Sequence, residues 1–305
     1  MTFDANVLLQ AASHAAAGQQ YPKGALYLVA TPIGNLADMT LRAIQVLVLV
    51  DVVACEDTRV TGRLLQHFGL DKKMMSVHQH NEASSARQII EALQQGLRVA
   101  YVSDAGTPAV SDPGAQLVAQ IQAAGLRAVP IPGVSSVTTA LSVAGDTAGT
   151  AFHFVGFLPA KGAARATALD EALTWPGSVV LFEAPHRIDD LARDLQAAAS
   201  TRQVTLCREL TKQFEEIATL SVADLPAWVK AQANRDRGEF VVVVHAAAAA
   251  AATQALSTEV QALLKALSSH FPLKQAAGLV ADVTHLPRKA LYEQALQWRQ
   301  AEQRD

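Results

Sequence analysis

The chain is poor in cysteine, carries no excess of basic residues and lacks a long apolar run. Its longest uncharged apolar stretch, around residues 43–50, ends at Asp51 and is far shorter than the ~18 residues that a membrane-spanning helix needs. No lysine or arginine precedes Lys23, so the start lacks the basic end of a secretory signal. These absences predict a cytoplasmic protein that does not bind membranes.

The two cysteines, Cys55 and Cys207, both lie in apolar runs, which predicts buried free thiols. The formal net charge is −3, from 25 basic and 28 acidic residues. Proteins that coat nucleic acids usually carry a strong basic excess, so the whole-chain charge argues against that class.

Motifs of several common enzyme classes are absent as well. The sequence contains no Gly-x-Gly-x-x-Gly, no Gly-x-x-x-x-Gly-Lys-Ser/Thr and no Gly-x-Ser-x-Gly. Dinucleotide, nucleoside-triphosphate and serine-hydrolase chemistry therefore lose most of their support.

Half of the residues are apolar, which excludes a mainly disordered chain. A length of 305 residues is typical of about two domains of roughly 100–200 residues each. Strand-like runs alternate with helical segments between residues 26 and 144, a pattern that predicts a parallel sheet covered on both faces. After about residue 150 the strands outnumber the helices, which predicts a mixed sheet. The predicted strands are 26–30, 48–54, 99–102, 128–131, 152–157, 178–182, 204–207 and 240–244.

The predicted fold class is therefore α/β, with a parallel-sheet N-terminal domain, a mixed-sheet second domain and a small helical tail. We place a flexible N-terminal extension at 1–22, the first α/β domain at 23–147 and the second at 148–246. Residues 247–305 are predicted to form an alanine-rich linker and a helix-turn-helix-like tail.

Polar loops follow several of the predicted strands, and ligands of open α/β sheets bind at such strand ends. In residues 103–108, Gly106 allows the backbone to approach a ligand, and Asp104 offers an acceptor for a ribose diol or an ammonium group. An ordinary strand-to-helix turn explains the same residues equally well. Asp112-Pro113 is predicted to open the next helix.

Three other polar segments are ambiguous on pattern alone. Residues 56–59 could orient a polar substrate, or form a helix N-terminus that favours acidic residues. Residues 186–187 and 208–212 could contact phosphates, or cap the elements that follow them. His78 and His80 share one face of an extended segment, but a zinc site is not expected because no partner has suitable spacing.

The C-terminal helices differ from the rest of the chain in charge. Between Phe271 and Arg299 the basic residues outnumber the acidic ones by two. A corner at Leu286-Pro287, followed by Arg288 and Lys289, suits a nucleic-acid contact of helix-turn-helix type. A solvated helical hairpin is an equally good interpretation of these residues.

Taken in chain order, the loops resemble the small-subunit ribosomal RNA methyltransferases of the tetrapyrrole methylase (class III) superfamily. The segments that carry the resemblance are 27–36, 56–59, 102–108 with 111–114, 183–187 and 208–212. The similarity spans about residues 24–245 and extends to the helices at 272–296.

The resemblance implies a homodimer of two-domain subunits that bind S-adenosylmethionine in the cleft between the domains. It implies methyl transfer to the ribose 2′-hydroxyl of cytidine 1402 in the 16S ribosomal RNA of the small ribosomal subunit, with no metal. By motif match, the methyl donor is expected to contact Pro32, Asp104, Gly106, Thr107, Pro108, Ser135, Ser136, Glu183 and Ala184.

A ribose hydroxyl is a poor nucleophile, so a basic group is expected to assist the reaction. Candidate bases are Asp57, Glu56, His186 and Glu209, among which the sequence does not decide. Candidate RNA contacts are Arg59, Arg187, Arg208, Lys212, Lys274, Arg288 and Lys289. Two alternatives stay open: a methylase of tetrapyrrole-like small molecules, and a ribosome-assembly protein without catalytic activity.

Overall fold

The computed structural model describes residues 4–78, 81–247, 258–284 and 286–302. Its contacts divide the chain into two compact units, Met1–Ala246 and Ala247–Asp305. The second histidine of the predicted pair, His80, the greater part of the alanine-rich linker and His285 at the tail corner lie outside the described residues. No helix within the described ranges is long and apolar enough to cross a bilayer.

The first sheet of the described chain has five parallel strands in the order β3-β2-β4-β1-β5. The strands are β1 Ala25–Val29, β2 Val52–Cys55, β3 Lys73–Ser76, β4 Val99–Val102 and β5 Arg127–Ile131. The helices of this region are α1 Ala5–Ala16, α2 Leu41–Leu49, α3 Thr58–His67, α4 Glu82–Gln94, α5 Ala115–Ala123 and α6 Ser136–Ala144. The predicted parallel sheet is thus confirmed.

Alternate residues of this sheet enter two separate cores, as the twofold period of a strand requires. Tyr27 packs in a cluster with Ile44 and Leu47 of α2, whereas Leu26 packs with Ile89 of α4 and Leu117 of α5. Helices therefore cover both faces, and the ends of the strands are left as the open edge of the domain.

The second sheet is mixed, with the order β6-β7-β10-β8-β9 in the described residues. β6 and β7 are parallel, and the other pairs are antiparallel. The strands are β6 Phe152–Phe157, β7 Ser178–Glu183, β8 Gln203–Arg208, β9 Glu216–Ser221 and β10 Phe240–Val244. Helices α7 Ala163–Leu173, α8 Ile188–Ala199 and α9 Leu225–Lys230 contribute to one core of this sheet, and α6 contributes to the other.

The N-terminal segment differs from the loose extension that the sequence suggested. Helix α1 begins after Asp4, whose side chain accepts a hydrogen bond from the amide of Asn6. Ala12 is fully buried, and Leu8 and Leu9 pack against the core that includes α2. Alanine and glutamine contribute little to a hydrophobic periodicity, so the sequence of this short helix does not reveal its apolar face. The face is recognised only once the surface on which it packs is known.

Two further expectations about helix ends need correction. The predicted strand at 48–54 is shorter, because α2 continues to Leu49 and β2 begins at Val52. Asp112 and Pro113 do not open α5, which begins at Ala115 after Gly114 with φ 125°. Both cysteines are buried free thiols, as predicted.

The second unit contains three helices in its described part, α10 Thr258–His270, α11 Leu273–Thr284 and α12 Arg288–Glu302. The three helices share a buried core, to which α10 contributes Leu264, α11 contributes Val280 and α12 contributes Leu291, among others. The guanidinium of Arg288 reaches back to α11, where its Nη2 donates to the carbonyl of Lys274 at 3.1 Å. Gly278 makes room for this contact, since a Cβ there would lie 2.9 Å from Arg288 Nη2.

Candidate functional site

A cavity of about 340 Å³ lies where the strand ends of the two sheets meet. From the first sheet it is lined by residues of the loops after β1, β4 and β5, and from the second sheet by residues at the ends of β6, β7, β8 and β10. We call it the donor cavity. Its lining residues are Ile33, Ala105, Gly106, Thr107, Val110, Ser111, Asp112, Ser135, Ser136, Val137, Phe157, Phe182, Glu183, Ala184, Pro185, Leu210, Glu239, Phe240 and Val241.

Six of the predicted donor contacts line this cavity, and three do not. Those that line it are Gly106, Thr107, Ser135, Ser136, Glu183 and Ala184. Pro32 and Asp104 line a second cavity instead, and Pro108 is buried outside the lining of both in the described chain. The fold therefore distributes most of the predicted donor contacts over two neighbouring cavities.

The second cavity, of about 240 Å³, lies beside the first and shares a wall with it. The wall is an isolated bridge in which Thr31 and Gly106 exchange two backbone hydrogen bonds, each of 2.9 Å. We call this space the outer cavity. Its lining residues are Thr31, Pro32, Gly34, Leu36, Val60, Thr61, Arg63, Leu64, Ser103 and Asp104.

Backbone strain is concentrated beside the donor cavity. Among the described residues that are not glycine, positive φ angles occur at Ala109, Ser111, Glu209 and Thr211. Such angles cost of order 1–3 kcal/mol each and persist where the surrounding structure holds them. Ser111 lines the cavity, Ala109 precedes the lining residue Val110, and Glu209 and Thr211 flank the lining residue Leu210. The strained backbone is therefore part of the walls of this site.

Glu183 is held by arginines and is not a free carboxylate of the cavity. Its side chain is 1% exposed, and its oxygens lie 2.9 Å from Arg165 Nη2 and 3.2 Å from Arg187 Nε. The amide of Ala184 donates to Glu183 Oε1 at 2.9 Å. The carboxylate therefore fixes the end of β7, at the point where Glu183 and Ala184 line the donor cavity.

Arg187, a predicted phosphate contact, has the same structural role. Its Nη2 donates to the carbonyls of Leu158 and Pro159 at 2.8 and 3.0 Å, and its side chain is 17% exposed. These bonds join the end of β6 to the turn after β7. The phosphate contact at Arg187 stays a prediction, although its guanidinium already has these partners within the protein.

The loop after β8 also binds its own charges. Arg208 is 13% exposed and pairs with Glu216 of β9 at 3.3 Å, so its guanidinium also has a partner within the protein. Lys212 Nζ lies 2.9 Å from both Glu209 Oε1 and Glu239 Oε2. Burial opposes ionisation of Glu209, but hydrogen bonds from Lys212 and the amide of Glu239 outweigh it and lower the pKa of Glu209.

Asp57 and Arg59 form an exposed pair at the start of α3. Asp57 caps the helix by accepting from the amide of Arg59 at 2.8 Å, and its Oδ2 lies 2.6 Å from Arg59 Nη2. Hydrogen bonds from the Arg59 side chain, more than any other cause, lower the pKa of Asp57 to about 2. The amide of Asp57 donates to Asp104 Oδ1 at 3.1 Å, which links this turn to the outer cavity.

Two other carboxyl groups nearby are shifted in the opposite direction. Burial raises the pKa of Glu56, and the negative charges of Asp104, Asp112 and Asp57 add to this effect. Burial also raises the pKa of Asp112, although a hydrogen bond from Ser103 opposes it. Glu56 therefore accepts a proton more readily than Asp57 does.

His186 is exposed and lies in a short 3-10 turn, Pro185–Arg187, directly after β7. Several lining residues were not predicted from the sequence, among them Ser111, Asp112, Phe157, Phe182, Leu210 and Glu239. Some of them stand inside the matched segments 111–114 and 208–212, so the resemblance contained a signal for part of this set. No group of three possible metal ligands of the His, Cys, Asp or Glu type occurs in the described ranges.

In the C-terminal unit, the structure brings three predicted RNA contacts together. Lys274, Arg288 and Lys289 line one open pocket of about 530 Å³ with Tyr292. Lys289 is 89% exposed and lies 3.9 Å from Glu293. This cluster, which we call the tail cluster, combines positive charge with an aromatic ring.

Comparisons with known families give a consistent assignment. Residues 25–226 match the family of tetrapyrrole (corrin/porphyrin) methylases, and residues 254–299 match the RsmI C-terminal HTH domain. Among solved structures, uroporphyrin-III-C-methyltransferase from Thermus thermophilus is 22% identical with a TM-score of 0.52, over 73% of this chain and 94% of that one. The methyltransferase CobJ is 19% identical with a TM-score of 0.56, over the same shares of the two chains. At these identities the similarity shows the fold alone.

Curated relatives named ribosomal RNA small subunit methyltransferase I are far more similar. The protein from Vibrio cholerae is 45% identical over 90% of this chain and 96% of its own length. That from Neisseria meningitidis serogroup A is 44% identical over 95% and 98%, and that from Escherichia coli O157:H7 is 44% identical over 90% and 96%. The chain therefore belongs to the ribosomal RNA small subunit methyltransferase I family, within the tetrapyrrole methylases.

Proposed function

We propose that the protein transfers a methyl group from S-adenosylmethionine to the ribose 2′-hydroxyl of cytidine 1402 in 16S ribosomal RNA. The observation that carries the proposal is the donor cavity at the joined strand ends of a chain that is 45% identical to a relative with that family name. The proposal includes action on the small ribosomal subunit, a homodimeric enzyme and a cytoplasmic location, which rest on the family resemblance.

The donor cavity has the composition that S-adenosylmethionine requires. Its volume lies within the range of about 300–1,000 Å³ typical of small-ligand sites. Apolar side chains such as Ile33, Val137 and Phe240 suit an adenine ring, and the hydroxyls of Ser111 and Ser135 suit the polar ends of the molecule. Gly106 lines the cavity with bare backbone at a positive φ of 77°, a conformation that favours glycine.

When bound, S-adenosylmethionine supplies a methyl group that is already activated on a positively charged sulfur. The chain's own residues must then align the acceptor and receive the hydroxyl proton. Of the four candidate bases, Glu56 has the raised pKa, whereas Asp57 and Glu209 are held ionised by their partners. We therefore assign the proton-accepting role to Glu56.

The RNA contacts that remain available are fewer than the sequence suggested. Arg59 is 84% exposed beside the outer cavity, and the tail cluster presents Lys274, Arg288 and Lys289. Arginine and lysine at these positions can pair with phosphates of a structured RNA, so the net charge of the whole chain does not oppose the proposal.

Methyl transfer in vitro tests the proposal. Small ribosomal subunits from cells that lack this protein are incubated with the full-length chain and radiolabelled S-adenosylmethionine, and the methylated nucleotide is located by nuclease digestion and mass spectrometry. We expect one methyl group on the ribose of cytidine 1402. Labelling of uroporphyrinogen but not of ribosomal RNA would instead support a small-molecule methylase.

A matched pair of variants tests the donor cavity. Val110 lines it and is 43% exposed, whereas Val143 on α6 is 44% exposed and is not among the described lining residues. We expect V110W to weaken S-adenosylmethionine binding by calorimetry, and V143W to leave it unchanged. Absence of binding by the unsubstituted protein would support the assembly protein without catalytic activity.

A further inference from the structure

The outer cavity lies directly beside the donor cavity, because adjacent residues of the same two loops line one cavity and then the other. In the loop after β1, Pro32 and Gly34 line the outer cavity, and Ile33 between them lines the donor cavity. In the loop after β4, Asp104 lines the outer cavity and Ala105 lines the donor cavity. The two cavities are therefore separated by one layer of backbone, at the Thr31–Gly106 bridge.

The outer cavity has an uncovered apolar side. Leu36 and Val60 are 40% and 38% exposed, and they line the cavity together with Pro32 and Leu64. Apolar side chains arranged around a concave surface favour a flat, weakly polar group such as a nucleobase. Ser103 and Thr31 supply hydroxyls at the inner end of the same space.

The outer cavity also carries an unpaired positive charge, on the same helix as Val60. Arg63 is exposed and forms no hydrogen bond or ion pair with any described residue. It follows Arg59 by one turn of α3, so both guanidinium groups extend from the same helix face. Arg59 is exposed but already paired with Asp57, whereas the guanidinium of Arg63 has no partner among the described residues and can bind a phosphate group.

We propose that the outer cavity binds the acceptor nucleotide of the RNA, with its base on Leu36 and Val60 and a flanking phosphate on Arg63. This inference rests on the proposed function, because it assigns the substrate of that reaction to a particular space. It places the ribose at the wall that the two cavities share.

Two substitutions test the assignment through different properties of the cavity. R63A removes the phosphate contact, and V60W fills the apolar side at a position that is 38% exposed. Loss of a charged hydrogen bond predicts an increase of about tenfold in the KM for small ribosomal subunits in R63A. V60W is expected to lower kcat/KM by at least as much, whereas both variants bind S-adenosylmethionine with an unchanged Kd in calorimetry.

Arg87 provides the control, because it is an exposed arginine of α4 outside the described lining of both cavities. R87A is expected to keep the unsubstituted KM and Kd, and melting curves confirm that each variant is folded. Wild-type KM values in both R63A and V60W would overturn the assignment. So would a weakened Kd for S-adenosylmethionine, since the outer cavity would then belong to the donor. Failure of the unsubstituted protein to methylate the RNA would contradict the proposed function instead.

Discussion

At the residue scale, neighbouring carboxyl groups differ in their ability to accept a proton. Glu56 and Asp57 are adjacent in the sequence, yet burial and nearby acids raise the pKa of Glu56, whereas Arg59 lowers that of Asp57. The difference arises because one side chain is partly desolvated among negative charges and the other is paired in water. The sequence motif does not show which of the two carboxylates accepts a proton more readily, because this depends on their surroundings.

E56Q is predicted to lower kcat by about 10²-fold, in line with the usual contribution of a general base. In the unsubstituted enzyme, activity should fall as the pH decreases through the raised pKa of Glu56, and E56Q should lose this dependence. The stability effect has the opposite sign. A raised acid pKa means that the folded state loses stability as the pH rises from 4.5 through the folded-state pKa.

Rate measurements and urea unfolding over this pH window check both effects. We expect E56Q to be more stable than the unsubstituted protein at neutral pH, and to show a flatter dependence of its unfolding free energy on pH. D57N is the matched control for activity, because the same isosteric change is made at the adjacent carboxylate. An unchanged pH profile in E56Q would exclude Glu56 as the base.

Glu183 predicts a different kind of loss, in stability. Removing the Glu183 charge leaves Arg187 without a carboxylate partner and leaves Arg165 with Asp194 alone, at 2.8 Å. Breaking a buried ion pair costs about 3–5 kcal/mol, and the remaining contact with Asp194 favours the lower end of that range. We expect E183Q to lower the free energy of unfolding by an amount near that range, measured in urea. R193A is the control, because Arg193 pairs with Asp190 on the surface of α8 and should change stability by less than about 1 kcal/mol. Equal effects in the two variants would contradict a structural role for Glu183.

At the scale of elements, the loop after β1 and the loop after β8 meet beside the two cavities. Gly34 lies under the side chain of Lys212, where a Cβ would collide with Cγ of the lysine and approach Thr211 Oγ1 to 3.0 Å. Lys212 is held by Glu209 and Glu239, and positive φ angles at Glu209 and Thr211 restrict the loop. The contact therefore joins a loop of the first sheet to a loop of the second.

G34A is accordingly predicted to weaken S-adenosylmethionine binding and to lower the melting temperature. Gly34 has no positive φ, so the effect arises from the collision rather than from backbone strain. G18A is the matched control, since no atom lies within 4 Å of a Cβ at that position. Calorimetry and thermal melting measure the two effects, and equal behaviour of the two variants would contradict the prediction.

The regular elements were predictable where their apolar patterns were strong. The strands Val99–Val102, Phe152–Phe157 and Phe240–Val244 have the predicted limits. The edge strands Lys73–Ser76 and Glu216–Ser221 were missed because their residues are largely exposed or only partly buried, whereas the edge strand Phe152–Phe157 was marked by its three phenylalanines. An edge strand gains its structure from one neighbour, and its sequence carries little of the signal that burial imposes.

At the scale of the whole molecule, positive charge is distributed unevenly. The chain has a net charge of −3, yet Lys274, Arg288 and Lys289 form one cluster in the C-terminal unit. Each lysine or arginine that neutralises a phosphate of single-stranded RNA contributes about 0.7 to the slope of log K against log salt. Local charge, rather than net charge, therefore determines whether this unit contributes to RNA binding.

K274Q/K289Q is predicted to reduce that slope by roughly 1.4 and to weaken binding to small ribosomal subunits. Arg288 is left unchanged because its guanidinium also packs over Gly278. R87Q/R127Q removes two exposed charges from the first unit and should leave the slope unchanged. Binding titrations at several salt concentrations give both slopes, and equal slopes would show that the tail cluster does not contact RNA.

The sequence by itself determined the order of the elements, the two-sheet α/β architecture and the family. These depend on local periodicity, on turn residues and on short motifs, all of which involve residues close together in the chain. The family resemblance also named Gly106, Thr107, Ser135 and Ser136 as donor contacts, and they line one cavity because the loops after parallel strands converge at one edge of a sheet.

Only the tertiary structure decided which charged side chains are available. Arg187 and Arg208 carry the same charge as Arg63, but they are bound to carboxylates or carbonyls that the fold brings to them. Likewise, the division of one motif between the donor cavity and the outer cavity follows from the Thr31–Gly106 bridge, which joins loops 75 positions apart in the chain. Pairing and desolvation depend on such distant neighbours, so they become visible only when the chain is folded.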